Sequence, residues 1–237
     1  MRQAELVIVV LEGFHAVKHA LRFAPALVRR ITVTSVSSAL ALCDALAPDV
    51  RELLLALAVE GPVEHPTGVQ GEADRPLEDR SILRQRSAPL VLLDDPRHPG
   101  NAGAAIRVAA AAGASGVALL GTLDPWHPAV LRGAAGLHFA LPVLSCSLME
   151  VAGPVFALDA DGEPFPSLPD DAVLVVGSER AGLSVDTLAR ADRVVALPMR
   201  AGVSSLNLAT AVSAALYAWR LAGLRTPGAD AGTARLG

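Results

Sequence analysis

The sequence has 237 residues, of which 52% are hydrophobic, and a formal net charge of −4 at pH 7. This length is enough for one large domain, or for one medium and one small domain, with a sizeable core. The acidic balance argues against a protein that coats nucleic acid, because non-specific affinity rises with the number of phosphates neutralised. No apolar stretch is long enough to span a bilayer, so we expect no membrane partner.

The two cysteines, Cys43 and Cys146, have no companions at a metal-ligand spacing. We therefore expect no metal site, and we expect two free thiols in a reducing, cytoplasmic compartment. The apolar run at 6–11 is short and ends at Glu12, which predicts a strand rather than a signal peptide.

Residues 1–60 predict a small α/β unit, with strands at about 6–11 and 30–35 and helices at about 13–23 and 37–58. Residues 13–36 hold no acidic residue, which predicts a local basic face inside an acidic chain. The cations of that stretch are Lys18, Arg22, Arg29 and Arg30, accompanied by His15 and His19. A solvated helix face explains such a charge run equally well.

The rest of the chain predicts a second, larger unit. Residues 61–87 are polar and rich in proline and glycine, which predicts a linker or an exposed excursion. Over 88–222, short apolar runs alternate with helical stretches and loops, at 90–93, 117–120, 155–158, 173–176 and 194–197. This pattern predicts an α/β fold whose mostly parallel sheet is covered by helices on both faces. Residues 223–237 have nothing to pack against, and we expect a disordered tail.

The helix predicted over 206–221 is apolar around most of its circumference. Its polar residues fall on one side at helical spacing, namely Asn207, Thr210, Ser213, Tyr217 and Arg220. We expect such a helix either to run through the body of the fold or to lie in a subunit interface.

The first of three glycine-bearing loops follows the strand at 90–93 and opens a helix. A dinucleotide site requires the spacing G-x-G-x-x-G at this place, with an acid about 20 residues later. Gly100 and Gly103 are spaced G-x-x-G instead, which disfavours a nicotinamide site although Asp124 lies near the right distance.

Two polar residues of this loop and helix are candidate site residues. Asn101 is a good N-cap for the helix that follows. Arg107 lies in the second turn of an otherwise apolar helix, and side chains on a helix lean toward its N-terminus. We expect a buried Arg107 that points back at the loop and needs a phosphate or a carboxylate as partner.

The second and third loops follow the strands at 173–176 and 194–197. Gly177 allows a ligand to approach the backbone closely, and Glu179 lies where α/β folds bind ligands. Taken alone, a surface turn and a helix capped by Ser184 would explain the second loop. In the third loop Ser205 and Asn207 could be mere capping residues.

The three loops follow strands of one predicted parallel sheet, so we expect their tips to converge on one crevice. The side chains that would meet there are those of Asn101, Arg107, Glu179, Ser205 and Asn207.

The segments "PGNAGAAIRVA", "VVGSERAGLS" and "LPMRAGVSSLNLATAVSAALY", in this order, resemble the three motifs of the SpoU/TrmH family. This family comprises S-adenosylmethionine-dependent RNA ribose 2′-O-methyltransferases of the SPOUT superfamily, and the resemblance covers about 88–222. Arg180 and Ala181 depart from the common Gly-Glu, and Ala102 replaces a commoner valine. The segment "LEGFHAVKHALRF" resembles, less specifically, a small ribosomal-protein-like RNA-binding domain.

The resemblance implies a deep trefoil knot in the C-terminal half and a homodimer, with a final helix pressed against the partner subunit. It implies S-adenosylmethionine as methyl donor, held mainly by backbone groups of Gly121, Gly177, Leu197, Met199 and Leu206. It implies a ribosomal or transfer RNA substrate, contacted by the basic residues of the small unit.

The resemblance also implies catalytic roles. A ribose 2′-hydroxyl is a poor nucleophile and must lose its proton, which Arg107 would assist by stabilising the developing alkoxide or by holding a substrate phosphate. Asn101, Glu179, Ser205 and Asn207 would orient Arg107 and the nucleotide. Two other classes compete with this interpretation, a non-enzymatic RNA-binding protein on the same fold and a nicotinamide oxidoreductase.

Overall fold

The structure, a computed structural model, describes residues 7–224. Two sheets, of four and of six strands, organise this part of the chain. Between residues 7 and 224, no helix combines the length and the apolar character that crossing a bilayer requires. Cys43 and Cys146 are both free, as the sequence predicts.

The small unit is a four-stranded sheet with helices on one face. In chain order its elements are β1 (Ile8–Glu12), α1 (Phe14–Phe23), β2 (Val28–Val33), α2 (Val36–Leu46), α3 (Arg51–Leu57), β3 (Ala58–Glu60) and β4 (Val69–Asp74). The strand order is β1-β4-β2-β3, in which β4 runs antiparallel to both of its neighbours. Burial alternates along β1 and β4, because one sheet face meets the helices and the other is open.

The structure corrects the prediction that 61–87 is a linker or an exposed excursion. The segment Val69–Asp74 is β4, which lies between β1 and β2 in the small sheet. Farther along, Ile82 and Leu83 are buried against the large unit, and the Arg86 guanidinium donates to backbone carbonyls there, including that of Asp171 at 2.8 Å. The prediction failed because the polar side chains of β4 lie on the open face of the sheet, so that the segment has a polar sequence.

The large unit is a six-stranded sheet in which every pairing is parallel. Its elements are β5 (Leu90–Leu93), α4 (Pro99–Ala112), β6 (Gly116–Leu119), α5 (Pro128–Gly133), β7 (Val143–Ser145), β8 (Val155–Pro164), β9 (Val173–Val176), α6 (Val185–Arg190), β10 (Arg193–Ala196) and α7 (Leu208–Leu224). The strand order is β10-β8-β9-β5-β6-β7. All five apolar runs became strands, which confirms the α/β class, whereas β7 was not predicted.

Both faces of the large sheet are covered, which explains the continuous apolar strands. Every residue of β5, β6 and β9 is buried. α4 and α7 cover one face through buried residues such as Ile106 and Leu216. The other face is covered by a cluster that includes Ile82, Leu83 and Leu183.

The two units meet along α1 and the segment that follows α5. Trp126, Leu131 and Phe139 of the large unit belong to the same buried cluster as the core of the small unit. His19 on α1 bonds through Nδ1 to the carbonyl oxygen of Ala135 at 2.7 Å. Since a carbonyl can only accept, this ring nitrogen carries the proton.

α7 is less buried within the chain than its composition predicts. Its buried residues form one face, namely Leu208, Ala211, Val212, Ala215 and Leu216. Large apolar side chains on the opposite face stay exposed, at Tyr217, Leu221 and Leu224. α7 also extends to Leu224, so the predicted tail does not begin at 223; residues 225–237 lie outside the described part of the chain.

Candidate active site

A cavity of about 660 Å³ opens at the carboxyl ends of β9 and β10 and beside the middle of β8. The loops after β9 and β10 and the first turn of α4 surround it. Among the predicted site residues, the cavity brings together Asn101, Gly177, Glu179, Leu197, Met199, Ser205, Leu206 and Asn207. The three loops therefore converge on one crevice, as predicted. Two predicted site residues, Arg107 and Gly121, are not among the residues that line it.

Three polar side chains in the cavity form a hydrogen-bonded chain. The Asn101 side chain donates from Nδ2 to Glu179 Oε1 at 2.7 Å. Asn207 Nδ2 donates to Asn101 Oδ1 at 3.1 Å. Asn101 is 78 positions from Glu179 and 106 positions from Asn207 in sequence, yet the three side chains are fixed against one another. This orients each amide without ambiguity.

The flanking helices explain why these amides point into the cavity. α4 begins at Pro99 after His98, so Asn101 lies in its first turn and is not the N-cap that the sequence predicts. Asn207 does cap α7, because its Oδ1 accepts from the backbone of Ala209 at 2.9 Å and of Thr210 at 3.4 Å. Its Nδ2 therefore faces Asn101.

Glu179 is held as a carboxylate. Partial burial alone would raise its pKa and is the largest single influence. Hydrogen bonds from Asn101, from the backbone N–H of Glu179 itself and from the backbone N–H of Arg97 act with the nearby His98 to outweigh it, and the pKa of Glu179 is lowered from its ordinary value. At neutral pH this carboxylate is a fixed negative charge and a hydrogen-bond acceptor.

The loop that carries Glu179 is tight enough to exclude a side chain at Gly177. A Cβ there would lie 2.3 Å from the carbonyl carbon of Gly182. Ser178 and Gly182 close the loop with paired backbone bonds of 2.9 and 3.1 Å. Ser184 caps α6 as predicted, and its N–H donates to the buried Asp94 at 2.7 Å, which ties the loop to the end of β5.

Several cavity residues were missed by the sequence reasoning. Leu158, Asp159 and Ala160 line the cavity from the middle of β8, where Leu158 pairs with Val176 at the end of β9, and His98 lines it from the start of α4. The signal was available, because the apolar run at 155–158 was predicted as a strand of the same sheet. The rule that ligands bind beyond strand ends applied to that strand as well.

Gly121 is not among the residues that line the cavity. It follows β6, at a positive φ of 91°, and a Cβ on it would lie 2.4 Å from the Asp95 side chain. This glycine packs against the loop after β5, so the expected contact with a methyl donor is not supported by its position.

Arg107 is also outside the cavity, and its predicted burial is wrong. Its side chain is exposed, and within residues 7–224 no hydrogen bond or ion pair is formed by it. Six residues separate Arg107 from Asn101, which is about 240° around a helix, so the two side chains leave α4 in different directions.

The predicted basic face of the small unit is largely paired. Ion pairs join Arg22 to Asp49, Arg29 to Asp74 and Arg30 to Glu72, at 2.6, 2.6 and 3.2 Å. The carboxylates come from segments outside 13–36, which a window of sequence does not reveal. Among the four cations predicted to bind RNA, Lys18 alone forms no ion pair with a described residue.

No group of three or more histidine, cysteine or acidic side chains between residues 7 and 224 is arranged to hold a metal ion.

The family of the chain is decided by comparison with known proteins. Residues 88–217 match the model of the SpoU rRNA Methylase family, which is more than half of the chain. The chain belongs to this family. The matched span begins two residues before β5 and ends inside α7, so it comprises the large unit that carries the cavity.

Individual relatives agree with the family. The chain is 30% identical over 225 residues to the 23S rRNA (guanosine(2553)-2′-O)-methyltransferase RlmP of Bacillus subtilis, covering 88% of this chain and 86% of that protein. The crystal structure of AviRb from Streptomyces viridochromogenes with AdoMet has a TM-score of 0.75 at 26% identity, covering 92% of each chain. An AdoMet-bound rRNA methyltransferase from Sinorhizobium meliloti has a TM-score of 0.70 at 28% identity, covering 91% of this chain and 87% of that one.

These comparisons confirm the predicted family, the predicted class of RNA 2′-O-ribose methyltransferase and the predicted methyl donor, S-adenosylmethionine. They disfavour the nicotinamide interpretation, which the glycine spacing had already weakened.

Proposed function

We propose that this chain methylates the ribose 2′-hydroxyl of one nucleotide in ribosomal RNA, at the cavity beyond β9 and β10. The observation that carries the proposal is the chain of hydrogen bonds from Asn207 through Asn101 to Glu179. The three polar groups are held in place before any ligand binds, in a cavity that combines apolar leucines and a methionine with a few polar side chains, as small-molecule sites do. The ribosomal substrate is proposed because the relative from Bacillus subtilis acts on 23S rRNA.

The cavity fits S-adenosylmethionine in size and chemistry. Its volume of about 660 Å³ lies in the range of small-molecule sites. Leu158, Leu197 and Met199 offer an apolar surface for an adenine ring. Asp159 offers a carboxylate for ribose hydroxyls or for the positive charge of the donor. Close backbone packing at Gly177 leaves the loop N–H and C=O groups as the remaining contacts.

S-adenosylmethionine supplies an activated methyl group, and the chain has to hold the acceptor oxygen in line with it. The Glu179 carboxylate retains free lone pairs beyond the two hydrogen bonds that it accepts. It can therefore accept a hydrogen bond from the nucleotide without moving. Asn101 and Asn207 keep it in place, and Ser205 lies on the exposed rim where the nucleotide enters.

Arg107 remains a candidate for the catalytic role implied by the family. Because it does not line the cavity, it would act by contacting the bound RNA. Arginine is always protonated in proteins, so it does not serve as a free base. An exposed guanidinium can hold the substrate phosphate and stabilise charge that develops on the 2′-oxygen.

The trefoil knot and the homodimer are part of the same proposal. Tyr217, Leu221 and Leu224 form an exposed apolar stripe on α7, opposite the face that packs on α4. An exposed apolar stripe at this helical spacing suits a contact with a second copy. The small unit is proposed to bind RNA, and a cytoplasmic location follows from that substrate.

The test is transfer of a labelled methyl group from S-adenosylmethionine to 23S ribosomal RNA, followed by nuclease digestion and mass spectrometry of the nucleosides. One 2′-O-methylated nucleoside is expected. RNA that binds but receives no methyl group would instead support a non-enzymatic RNA-binding protein. A methyl group on a base would contradict the proposed chemistry.

A further inference from the structure

The surface between the two units holds three basic side chains that come from different parts of the chain. His15 and Lys18 lie on α1, and Arg107 lies on α4. On α1 the residues at 15, 18, 19 and 22 are spaced so that they share one face. His19 fixes the direction of that face, because it bonds to the carbonyl of Ala135.

The turn that follows α5 brings this face of α1 toward α4. Ala135 and Gly136 both adopt positive φ, at 51° and 75°, and a Cβ on Gly136 would lie 2.7 Å from the backbone of Ala16. α1 therefore rests directly on this turn.

The same turn packs on α4 from the other side. A Cβ on Gly103 would lie 2.8 Å from the backbone of Gly133 and Ala134. Arg107 is one helical turn farther along the same face of α4. His15, Lys18 and Arg107 consequently flank one turn of backbone.

Lys18 and Arg107 carry positive charges that repel each other, and neither forms an ion pair with a described residue, whereas His15 is uncharged at neutral pH because its pKa is lowered. Burial, then the positive charges of Lys18 and Arg107, lower the pKa of His15. Burial, then Arg22 and Arg107, lower the pKa of Lys18, while Asp49 opposes this shift. The Asp49 carboxylate is engaged on both oxygens by Arg22 at 2.6 Å. The described part of the chain thus offers these cations no free anion.

We propose that His15, Lys18 and Arg107 form a composite site for a phosphate of the RNA backbone, spanning the small and the large unit. The inference rests on the proposed function, since it assigns the RNA contact of the same enzyme. It replaces the paired arginines Arg29 and Arg30 as the main phosphate contact. A backbone phosphate suits the site because it is an anion with several acceptor oxygens, which an arginine and a lysine from two directions can share.

A site shared by two units has a mechanical consequence. RNA bound there contacts α1 and α4 at once. Binding of RNA by the small unit would therefore also position the target nucleotide relative to α4. Arg107 then contributes to affinity as well as to catalysis.

The test measures binding of a 23S ribosomal RNA transcript by filter retention over a series of KCl concentrations, without methyl donor. Lys18→Gln and Arg107→Gln should each weaken binding by about tenfold and lower the salt slope by about 1. The double variant should lose less than the product of the two single losses, because both side chains would hold the same phosphate. Arg51→Gln removes the same charge from a side chain paired with Asp44, and should change the dissociation constant by less than about twofold.

Two results would overturn the inference. One is a salt slope that Lys18→Gln and Arg107→Gln leave at the wild-type value. The other is a loss on Arg30→Gln as large as the loss on Lys18→Gln. Melting curves of each variant identify any that fail to fold, and both proposed cations are free of ion pairs with described residues. The binding measurement contains no methyl donor, so it does not depend on the methyl-transfer assay. A failure of methyl transfer in that separate assay would contradict the proposed function without changing the binding result.

Discussion

The large sheet ends in a cavity where polar side chains bind one another, whereas the small sheet carries arginines on its surface that bind neighbouring carboxylates. In the cavity, Asn101, Glu179 and Asn207 come from three loops and have fixed partners. On the small sheet, Arg30 and Glu72 are both more than a third exposed, and their ion pair contributes little. Fixed polar partners are therefore a feature of the unit that carries the cavity, and we infer that RNA recognition depends on the few charges that remain unpaired.

We expect the largest loss of methyl transfer from Asn101→Asp. This change keeps the shape of the side chain but replaces the amide donor, 2.7 Å from Glu179, by a second carboxylate. Two negative charges at that distance repel, so the network opens. We expect single-turnover methyl transfer to fall about 10²–10³-fold.

The matched control for that experiment is Glu163→Gln, which removes an exposed carboxylate that pairs with Arg193 at 2.5 Å outside the cavity. It should retain most of the wild-type rate. Equal losses in both variants would mean that the hydrogen-bonded network has no special part in the reaction.

The junction between the units should respond to pH through His138. This side chain is 1% exposed, its Nε2 bonds to the carbonyl of Pro125, and its buried Nδ1 has no partner among residues 7–224. Burial lowers the pKa of His138 to about 4, from 6.5. Because the folded pKa is the lower one, protonation favours unfolding, and stability present above pH 6.5 is lost as pH falls toward 4.

The expected loss from His138 is about 3 kcal/mol in the free energy of unfolding between pH 6.5 and 4. It can be measured by urea unfolding of the wild type and of His138→Phe at a series of pH values. The variant should show a shallower dependence on pH over this window. Parallel curves would show that His138 does not set the acid stability of the junction.

The exposed stripe on α7 gives a prediction about assembly. Leu221→Asp places a charge on a side chain that is 51% exposed within the chain. We expect a dimeric wild type and a monomeric variant in sedimentation velocity, with the fold retained. Leu216 is unsuitable for this purpose, since it is buried in the core of its own chain. A monomeric wild type at micromolar concentration would remove the dimer from the account.

The smallest effect is expected on the small sheet. Arg30→Gln breaks an exposed pair with Glu72 and should change the free energy of unfolding by at most about 1 kcal/mol. Thermal unfolding beside the wild type checks it. A loss of several kcal/mol would mean that the surface pairs of the small unit are structural after all.

Much of the large unit could be predicted because its strands are buried on both faces and therefore read as apolar runs. β4 could not be predicted, since its open face carries Gln70, Glu72 and Asp74 and the segment reads as polar. The cavity residues on three loops followed from the rule about strand ends. Arg107 did not, because the direction of a side chain on α4 depends on how α1 and α5 pack around it.

The basic face shows a second limit of sequence reasoning. The stretch 13–36 contains no acidic residue, yet Arg22 meets Asp49 and Arg29 meets Asp74 through the fold. Charge windows along a chain do not register partners that arrive from other elements.

The division of labour between the two sheets is tested most directly by two variants measured side by side, Glu179→Ala and Lys18→Gln. For each, the dissociation constant for 23S ribosomal RNA and the single-turnover rate at saturating RNA are determined with S-adenosylmethionine in excess. We expect Glu179→Ala to lower the single-turnover rate and to leave the RNA dissociation constant unchanged. We expect Lys18→Gln to weaken RNA binding and to leave the rate at saturating RNA unchanged. If either variant lost both quantities to the same degree, or if the two losses were exchanged, the assignment of catalysis to the large sheet and of recognition to the junction would be contradicted.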